Sequence, residues 1–298
     1  MCLLRKKDKI EDEVMKRRIF MCLRICGYLI GLGILFYPAI SNYLNQRHAT
    51  TIATDYEQEV SHITQQQEDE MMQKALAYNR TLIGNSEILD PFSEEAKQLK
   101  HTTYNKLLDI DGNGMLGYIE IPKIHILSPI YHGISERVLQ SGIGHLPETS
   151  LPVGGETSHT VLSGHRGLPS AKLFTDLDKM EKGDVFYIKV LHHTLAYQVD
   201  QILTVKPTQT QALSIVEGKD YVTLLTCTPY AINTHRLLVR GTRIPYEEAV
   251  KIADEMELKA ELPFYIKALG VACIVLIGVY ISVKWYVRKK GNAYEERK

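Results

Sequence analysis

Residues 221–244 read YVTLLTCTPYAINTHRLLVRGTRI. Two apolar, β-branched runs, 221–227 and 236–244, flank a short segment that contains Pro229 and Asn233, residues typical of a turn. The first run leads to Cys227 and the second begins with Arg236. The segment therefore predicts two strands, with a thiol at the end of one and a cation at the start of the next.

Working outward, the whole stretch from Met115 to Ile244 shows the same short runs. Gly, Pro and Asn separate them at intervals of about 10 residues, which is typical of a closed all-β barrel. The runs are GYIEI (117–121), HILSPI (125–130), HTVLSG (159–164), DVFYIKV (184–190), LAYQVDQILTV (195–205), YVTLLTC (221–227) and RLLVRGTRI (236–244). We predict an all-β fold, a closed β-barrel with about eight strands.

Charge and hydropathy separate the ends of the chain from its middle. The formal net charge is zero, which argues against a nucleic-acid-binding surface. Residues 42–263 nevertheless carry 20 basic and 29 acidic residues, whereas both ends are basic. Apolar runs near residues 19–41 and 264–284 are long enough to cross a membrane as helices, and their flanking Lys and Arg residues predict that both termini are cytoplasmic.

These observations predict a two-pass membrane protein whose barrel lies outside the cell. A cleaved signal peptide is the alternative for the first run, but no convincing cleavage pattern follows Ile40. The predicted segments are a cytoplasmic N-terminus (1–18), a transmembrane helix (19–41), a membrane-proximal amphipathic helix (42–80), a loop-rich segment (81–114) with a short helix at Ser93–Leu107, the barrel (115–245), a helical linker (246–263), a second transmembrane helix (264–284) and a cytoplasmic tail (285–298).

One thiol in the outside part is a candidate nucleophile. Four of the five cysteines lie at the N-terminus or in or beside the predicted spans, which leaves Cys227. A catalytic thiol needs a base and an oxyanion donor. His165, between two glycines after an apolar run, and Arg236 are the best-placed candidates, with His159 and His235 as rival bases. Spacing alone does not show that these residues meet, and a packed cysteine with structural histidines remains the competing interpretation.

Three motifs in this region resemble the sortases, the cysteine transpeptidases of Gram-positive cell surfaces. TLLTC (223–227), followed nine residues later by Arg236, is similar to the TLxTC…R signature of that family. The stretches LPVGGETSHTVLSGHRGLPSAKLF (151–174) and GYIEIPKIHILSPIYHG (117–133) resemble its His-bearing segment and its first barrel strands. The resemblance covers roughly residues 115–243 and implies a sortase-type barrel with Cys227, His165 and Arg236 as catalytic residues.

A further motif narrows the class. Asp90-Pro91-Phe92 resembles the Asp-Pro-aromatic lid of class C, pilin-polymerising sortases, and a C-terminal membrane span is typical of that class. The resemblance implies that 81–114 is a lid-containing segment, in which Asp90 pairs with Arg236 and Phe92 covers Cys227. An ordinary Asp-Pro turn is the alternative interpretation.

The resemblance also implies a reaction and its partners. Cys227 would attack the Thr carbonyl of a Leu-Pro-x-Thr-Gly-like sorting signal, with Arg236 near the developing oxyanion and His165 as proton donor and acceptor. A Lys amine on another pilin subunit would then accept the acyl group. The expected partners are pilin precursors and membrane lipid, with no nucleic acid and no cofactor.

Two features suggest metal binding, and both are better explained without a metal. Asp109–Glu120 fits the calcium-loop pattern D-x-[DN]-x-[DN]-G-x5-E, but a strand rather than a helix is predicted after it. The pair His192-His193 lacks nearby ligands of suitable spacing. We therefore predict no metal site. The alternative functions are a non-catalytic, membrane-tethered barrel that binds peptide or calcium, and a housekeeping sortase that attaches proteins to the cell wall.

Overall fold

The strands match the predicted runs and add one more. In the computed structural model, the residues described are 2–84, 88–98 and 103–257. The strands are β1 Met115–Ile121, β2 Ile126–His132, β3 Ile143–His145, β4 Ser158–Ser163, β5 Val185–Val190, β6 His193–Val205, β7 Asp220–Thr228 and β8 His235–Ile244. They form a closed barrel in the order β1-β2-β3-β4-β7-β8-β6-β5. The predicted all-β barrel with about eight strands is confirmed.

The strand that the sequence did not indicate is β3. It has three residues, too few for alternation to be visible, and it pairs with β2 on one side and with β4 on the other. A Cβ atom at Gly144 would lie 2.5 Å from the carbonyl oxygen of Gly133. The close approach of these chains therefore requires glycine at this position.

Two strand pairings determine where the candidate residues lie. Strands β4 and β7 are parallel, with Ser163 opposite Leu225, so both end at the same end of the barrel. Strands β7 and β8 are antiparallel neighbours joined by a short loop. The residues that follow β4, end β7 and begin β8 consequently come together at one end of the barrel.

The alternation of β7 separates two hydrophobic clusters. Val222 and Leu224 belong to the main core, together with residues of all the other strands, whereas Leu225 packs in a second cluster with Ile88 and Leu238. Because side chains alternate along a strand, Cys227 lies on the same face of β7 as Leu225. The segment that contains Ile88 thus packs over the face that carries the thiol.

The N-terminal helices differ from the prediction of one helix over 42–80. Helix α1 runs from Cys2 to Ser61 without a break at residue 41, and α2 spans Gln65–Thr81. The prediction was wrong because Thr64 and Gln67 form a reciprocal capping box that begins a new helix. Among the described residues, the one helical stretch that could cross a membrane, by length and composition alone, is Cys26–Ser61.

The later part of α1 is attached to the barrel. Tyr56 and Val60 are buried against Met115. The Tyr56 hydroxyl donates to the carbonyl of Leu116 (3.1 Å) and accepts from the amide of Leu191 (2.9 Å). Burial raises the pKa of Tyr56 to about 12, so this hydroxyl is protonated and can serve as donor and acceptor at once.

The remaining helices are short. Helix α3 spans Glu94–Gln98, α4 spans Glu136–Ser141 and α5 spans Tyr246–Glu257. The single helix predicted at Ser93–Leu107 is replaced by α3 and a 3-10 turn at Tyr104–Lys106, with residues 99–102 outside the described residues. The Ser93 side chain accepts from the Ala96 amide (3.2 Å) and supplies the predicted cap.

The chain divides into two units, 1–253 and 254–298. In the second unit the structure describes only residues 254–257, the end of α5. The predicted linker therefore begins as a helix. The rest of the linker, the second transmembrane helix (264–284) and the tail lie outside the described residues.

Candidate active site

The candidate nucleophile and the candidate cation are neighbours across two strands. Cys227 in β7 lies directly opposite Arg236 in β8. Cys227 is half-buried, and the loop between the strands holds Ala231 and Asn233 at positive φ (63° and 59°), conformations suited to a tight connection. A strand end gives a side chain both rigid support and access to solvent. Cys227 is therefore both rigidly supported and accessible, as a reactive thiol must be.

His165 follows the end of β4, beside the end of β7. The amide of Gly164 donates to the carbonyl of Leu225 (3.1 Å), and the hydroxyl of Thr226 donates to the carbonyl of Gly164 (2.7 Å). A Cβ atom at Gly164 would lie 2.7 Å from the Ile143 side chain. Glycine at position 164 thus lets the loop before His165 pack closely against Ile143 of β3, while the two hydrogen bonds hold the loop beside β7.

Arg236 is held by a carboxylate from the predicted lid. Its Nε and Nη2 donate to the two oxygens of Asp90, at 2.7 and 2.6 Å, and Nη1 donates to the backbone carbonyls of Asn233 and His235 (3.1 Å each). Arg236 is only 8% exposed. Burial alone would lower its pKa, but the hydrogen bonds to Asp90 and the electrostatic interactions with Cys227 and Asp90 raise it. Arg236 is therefore a permanently charged, oriented donor.

Phe92 packs between two of the candidate catalytic side chains. Its ring centroid lies 5.8 Å from the His165 ring and 5.1 Å from the Arg236 guanidinium carbon. Pro91 is buried, and the amide of Ser93 donates to the carbonyl of Asp90 (2.9 Å), which closes a turn. Asp90 thus pairs with Arg236, and Phe92 contacts both His165 and Arg236.

One neighbour of His165 was not found from the sequence. Nε2 of His165 lies 3.5 Å from a carboxylate oxygen of Glu136 in the first turn of α4, and the Glu136 side chain is largely exposed. No motif or spacing connects residues 136 and 165, so only the fold brings them together. An acidic residue following the helix-capping Ser135 was the sole local feature, and it indicates a helix start rather than a site.

The two rival histidines have other environments. His159 in β4 is buried, and its ring nitrogens are engaged by the carbonyl of Ser214 (2.9 Å) and the hydroxyl of Thr223 (2.7 Å). Burial lowers the pKa of His159 to about 4, so it is neutral in neutral solution. His235 precedes Arg236 in β8, and strand alternation directs it to the opposite face. Neither is placed as well as His165.

The calcium-like segment is a turn before β1. A carboxylate oxygen of Asp109 accepts from the Gly114 amide (2.9 Å), and one of Asp111 accepts from the Asn113 amide (3.0 Å). Glu120 lies within β1, opposite Leu127. The carboxylates of Asp109 and Asp111 therefore organise the backbone of this turn, and Glu120 lies in the strand that follows it.

His192 and His193 lie beside a carboxylate from α2. Nδ1 of His192 is 2.8 Å from Glu68, and Nε2 of His193 is 3.3 Å from its other oxygen. Within residues 2–84, 88–98 and 103–257, no three His, Cys, Asp or Glu side chains are grouped as ligands for a metal ion. We interpret this cluster as an attachment of α2 to the β5–β6 hairpin.

Comparison with known proteins identifies the same region. A family model described as "Sortase domain" matches residues 119–244, which extend from β1 to the end of β8. Sortase C of Streptococcus pneumoniae is 50% identical, with a TM-score of 0.62, and the match covers 66% of this chain and 97% of that one. Sortase C1 of Streptococcus agalactiae is 49% identical, with a TM-score of 0.59, covering 65% and 98%.

Curated relatives are more distant. Sortase A of Streptococcus agalactiae serotype III is 31% identical over 150 residues, which is 49% of this chain and 59% of that protein. The chain spans less than two thirds of the length of the curated relatives that it matches. The similarity to sortase C structures is thus both higher and more extensive.

Proposed function

The chain belongs to the sortase family, and we propose that it is a cysteine transpeptidase in which Cys227 is the nucleophile, His165 the proton donor and acceptor, and Arg236 the oxyanion donor. The observation that carries this proposal is the fork of Arg236. It lies opposite Cys227 and holds two carboxylate oxygens at 2.7 and 2.6 Å. A donor pair that binds a carboxylate is also suited to bind the charged oxygen of an acyl-transfer intermediate.

The proposed reaction has two acyl transfers. The Cys227 thiolate attacks the Thr carbonyl carbon of the sorting signal, a C–S bond forms, and the carbonyl oxygen becomes an oxyanion beside Arg236. Collapse of this tetrahedral intermediate breaks the amide bond between Thr and Gly, and His165 as imidazolium gives its proton to the leaving Gly amine. Neutral His165 then takes a proton from the incoming Lys amine, the new amide bond forms and the thiolate is released.

The lid must move before this reaction can begin. Asp90 occupies the Arg236 donors that the oxyanion needs, and Phe92 packs on both His165 and Arg236. We propose that this conformation is a closed, self-inhibited state. Opening exchanges the bidentate ion pair of Asp90 and the two contacts of the Phe92 ring for contacts with the substrate's own carbonyl and side chains.

We propose a substrate and partners of the class C type. The donor is an LPxTG-like sorting signal of a pilin precursor, cleaved between Thr and Gly, and the acceptor is a Lys amine of another pilin. The pneumococcal Sortase C structure is reported to inform pilin substrate specificity, and a Group B Streptococcus Sortase C is described as pilus-related. The 50% identity to the former and the Asp90–Arg236 contact favour this class over a housekeeping sortase.

The proposed location is the cell membrane, with the barrel on the extracellular side. Within α1 the stretch Cys26–Ser61 could cross the bilayer, and large apolar side chains such as Leu29 and Leu35 are exposed there. We propose that residues 264–284 form the second span. Anchoring enzyme and pilin precursors in one membrane would raise their effective concentration.

The proposal is tested with the full chain in detergent micelles, a fluorogenic LPxTG peptide and a Lys-bearing acceptor peptide. We expect cleavage and a new amide product in the wild type, faster turnover in Asp90→Ala/Phe92→Ala, and no product in Cys227→Ala. Cys26→Ala, which removes an exposed thiol of α1, is the matched control and should behave as the wild type. A lid-free protein that neither cleaves nor joins peptides would favour the non-catalytic, peptide-binding barrel.

A further inference from the structure

The segments that carry His165 and Cys227 are joined on both sides of these residues. Before them, the Gly164 amide donates to the Leu225 carbonyl at 3.1 Å, and the Thr226 hydroxyl donates to the Gly164 carbonyl at 2.7 Å. These contacts are the continuation of the β4–β7 pairing. These two hydrogen bonds hold the segments together before His165 and Cys227, but they do not hold the residues that follow His165 and Cys227.

After them, the contact is made by the side chain of Arg166. Its Nη1 donates to the Thr228 hydroxyl at 2.9 Å, and its Nη2 is paired with the Asp178 carboxylate. Asp178 belongs to a 3-10 segment, Leu173–Lys179, that follows the His165 loop. Arg166 therefore connects the residue after His165, the residue after Cys227 and a third segment of the chain.

One residue further along, the same two segments are in van der Waals contact. Gly167 has a φ of +82°, and a Cβ atom there would lie 2.8 Å from the Tyr230 ring. The Tyr230 side chain is itself mostly exposed, so this contact is a close approach and not a packed core. The hydrogen bond from Arg166 to Thr228 thus links the two segments on the C-terminal side of His165 and Cys227 through polar groups.

We propose that Arg166 is a positioning residue that sets the distance and orientation of His165 relative to Cys227 by holding Thr228. This inference rests on the proposed function, because it assigns a role within that reaction. Arg166 does not touch the reacting atoms. It acts through Thr228, whose strand position directly follows the nucleophile.

The burial of the contact indicates a geometric role. The Arg166 side chain is only 8% exposed, whereas Asp178 is 47% exposed. An ion pair with so much exposure at one partner contributes little to stability. A buried guanidinium fork, in contrast, defines the direction of the groups that it contacts, because its donors lie in one plane. A misplacement of about 1 Å can cost roughly 100-fold in rate.

The test compares three substitutions in the full chain with the lid opened by Asp90→Ala/Phe92→Ala. Thr228→Val removes the hydroxyl and leaves the pair with Asp178. Arg166→Met removes both contacts, and Arg166→Lys keeps a charge that cannot hold two partners in the same fork geometry. The matched control is Lys172→Met, because Lys172 bridges Asp176 of the same 3-10 segment and the carbonyl of Ile124.

Two readouts separate positioning from folding. The first is kcat and KM for the peptide, with kcat expressed per thiol titrated by a methanethiosulfonate reagent. The second is the pH midpoint of Cys227 alkylation, which needs no peptide substrate. For Arg166→Met we expect kcat to fall about 10- to 100-fold with KM unchanged, and the alkylation midpoint to move to higher pH, because the imidazolium is less well placed beside the thiolate.

The variants should follow a defined order. Thr228→Val should reproduce most of the loss in kcat, Arg166→Lys should recover part of it, and the double variant Arg166→Met/Thr228→Val should lose no more than Arg166→Met. Lys172→Met should change the melting temperature at most. These results would support a positional role carried through Thr228.

The contradicting results are equally specific. If Arg166→Met lowered the melting temperature but kept the wild-type kcat per titrated thiol and the wild-type alkylation midpoint, Arg166 would be purely structural. Losses that multiply in the double variant would show that Arg166 does not act through Thr228. A wild type without peptide turnover would contradict the proposed function, while the alkylation midpoint would still decide the role of Arg166.

Discussion

Strand β8 carries two arginines that make the same ion pair with partners of different origin. Arg236 holds Asp90 at 2.7 and 2.6 Å, and Arg240 holds Asp200 at 3.0 and 2.8 Å, each through Nε and Nη2. We call the first the lid pair and the second the sheet pair. The arginines are four residues apart and therefore lie on the same face of the strand.

Each pair also includes an aromatic ring. The guanidinium carbon of Arg236 lies 5.1 Å from the centroid of Phe92, and that of Arg240 lies 4.0 Å from the centroid of Tyr221. Hydrogen bonding to the carboxylate and the neighbouring negative charges raise the pKa of both arginines, in spite of burial. The chemistry of the two pairs is nearly the same.

The difference lies in what holds the partners. Asp200 lies at the irregularity in the β6–β8 pairing, and Tyr221 is in β7, so the sheet pair cannot separate without disturbing hydrogen-bonded strands. Asp90 and Phe92 belong to a loop that is paired with no strand. One arginine is thus part of the framework, whereas the other has a partner that can be exchanged for substrate.

The largest expected contrast is between Arg236→Ala and Arg240→Ala. Loss of an oxyanion donor should reduce kcat by about 100- to 1,000-fold, whereas Arg240→Ala should lower the melting temperature and leave kcat per titrated thiol within about twofold. Peptide turnover and thermal unfolding of the full chain check both. Similar losses of kcat in the two variants would remove the distinction between framework and site.

The next contrast is between Asp90→Ala and Asp200→Ala. Without its carboxylate the lid should open more often, and modification of Cys227 by a bulky thiol reagent should accelerate about tenfold, equivalent to ~1.4 kcal/mol. Asp200→Ala should leave that rate unchanged, because Asp200 and Arg240 are not part of the lid. Stopped-flow modification rates are the measurement, and an unchanged rate in Asp90→Ala would argue against gating.

A smaller effect concerns stability and pH, and it belongs to the barrel. Burial lowers the pKa of His159 to about 4 and that of His145 to about 3, from an ordinary value of 6.5. The unfolded chain therefore binds more protons below pH 6.5, so the stability that these neutral rings contribute is complete above that pH and is lost as the pH falls toward 4.

The measurement is the melting temperature between about pH 7.5 and about pH 5. We expect it to fall by several degrees in the wild type and by less in His159→Gln, which no longer carries a titrating ring. Asp90→Ala should keep the wild-type pH dependence, because the lid does not contact His159. An identical slope in His159→Gln would show that other groups determine it.

The smallest expected effect is that of salt. The Asp90 side chain is about as buried as that of Arg236, but both retain some exposure, so added salt should screen the lid pair only in part. We expect Cys227 modification in the wild type to accelerate by about twofold at most in ~1 M salt, with no acceleration in Asp90→Ala. An equal acceleration by salt in the wild type and in Asp90→Ala would show that salt acts on the thiol reagent and not on the lid pair.

The sequence predicted the barrel because alternation persists through its longer strands. Each of the seven runs between 117 and 244 became part of a strand, and Cys227 and Arg236 were recognised at strand ends. The three-residue β3 was missed because so short a strand has no readable period, and the break before α2 was missed because the Thr64–Gln67 capping box lies in a polar stretch that resembles continuous helix.

The site was predictable in part. Asp90 and Phe92 could be assigned only through resemblance, since 146 positions separate Asp90 from Arg236 and no periodicity connects them. Glu136, Arg166 and Thr228 were not indicated at all. Their contacts depend on the return of separate loops to one end of the barrel, which is a property of the closed topology and not of local sequence.

The most direct test of the account is the intact mass of the full chain after brief exposure to an LPxTG peptide, with the lid closed or opened by Asp90→Ala/Phe92→Ala. We predict a thioacyl adduct on Cys227 that ends at Thr, that accumulates faster with the lid open, and that a Lys-bearing acceptor removes. An open-lid protein that gains no adduct, or one that keeps its adduct when Cys227 is replaced by Ala, would contradict the claim that a gated Cys227 performs acyl transfer.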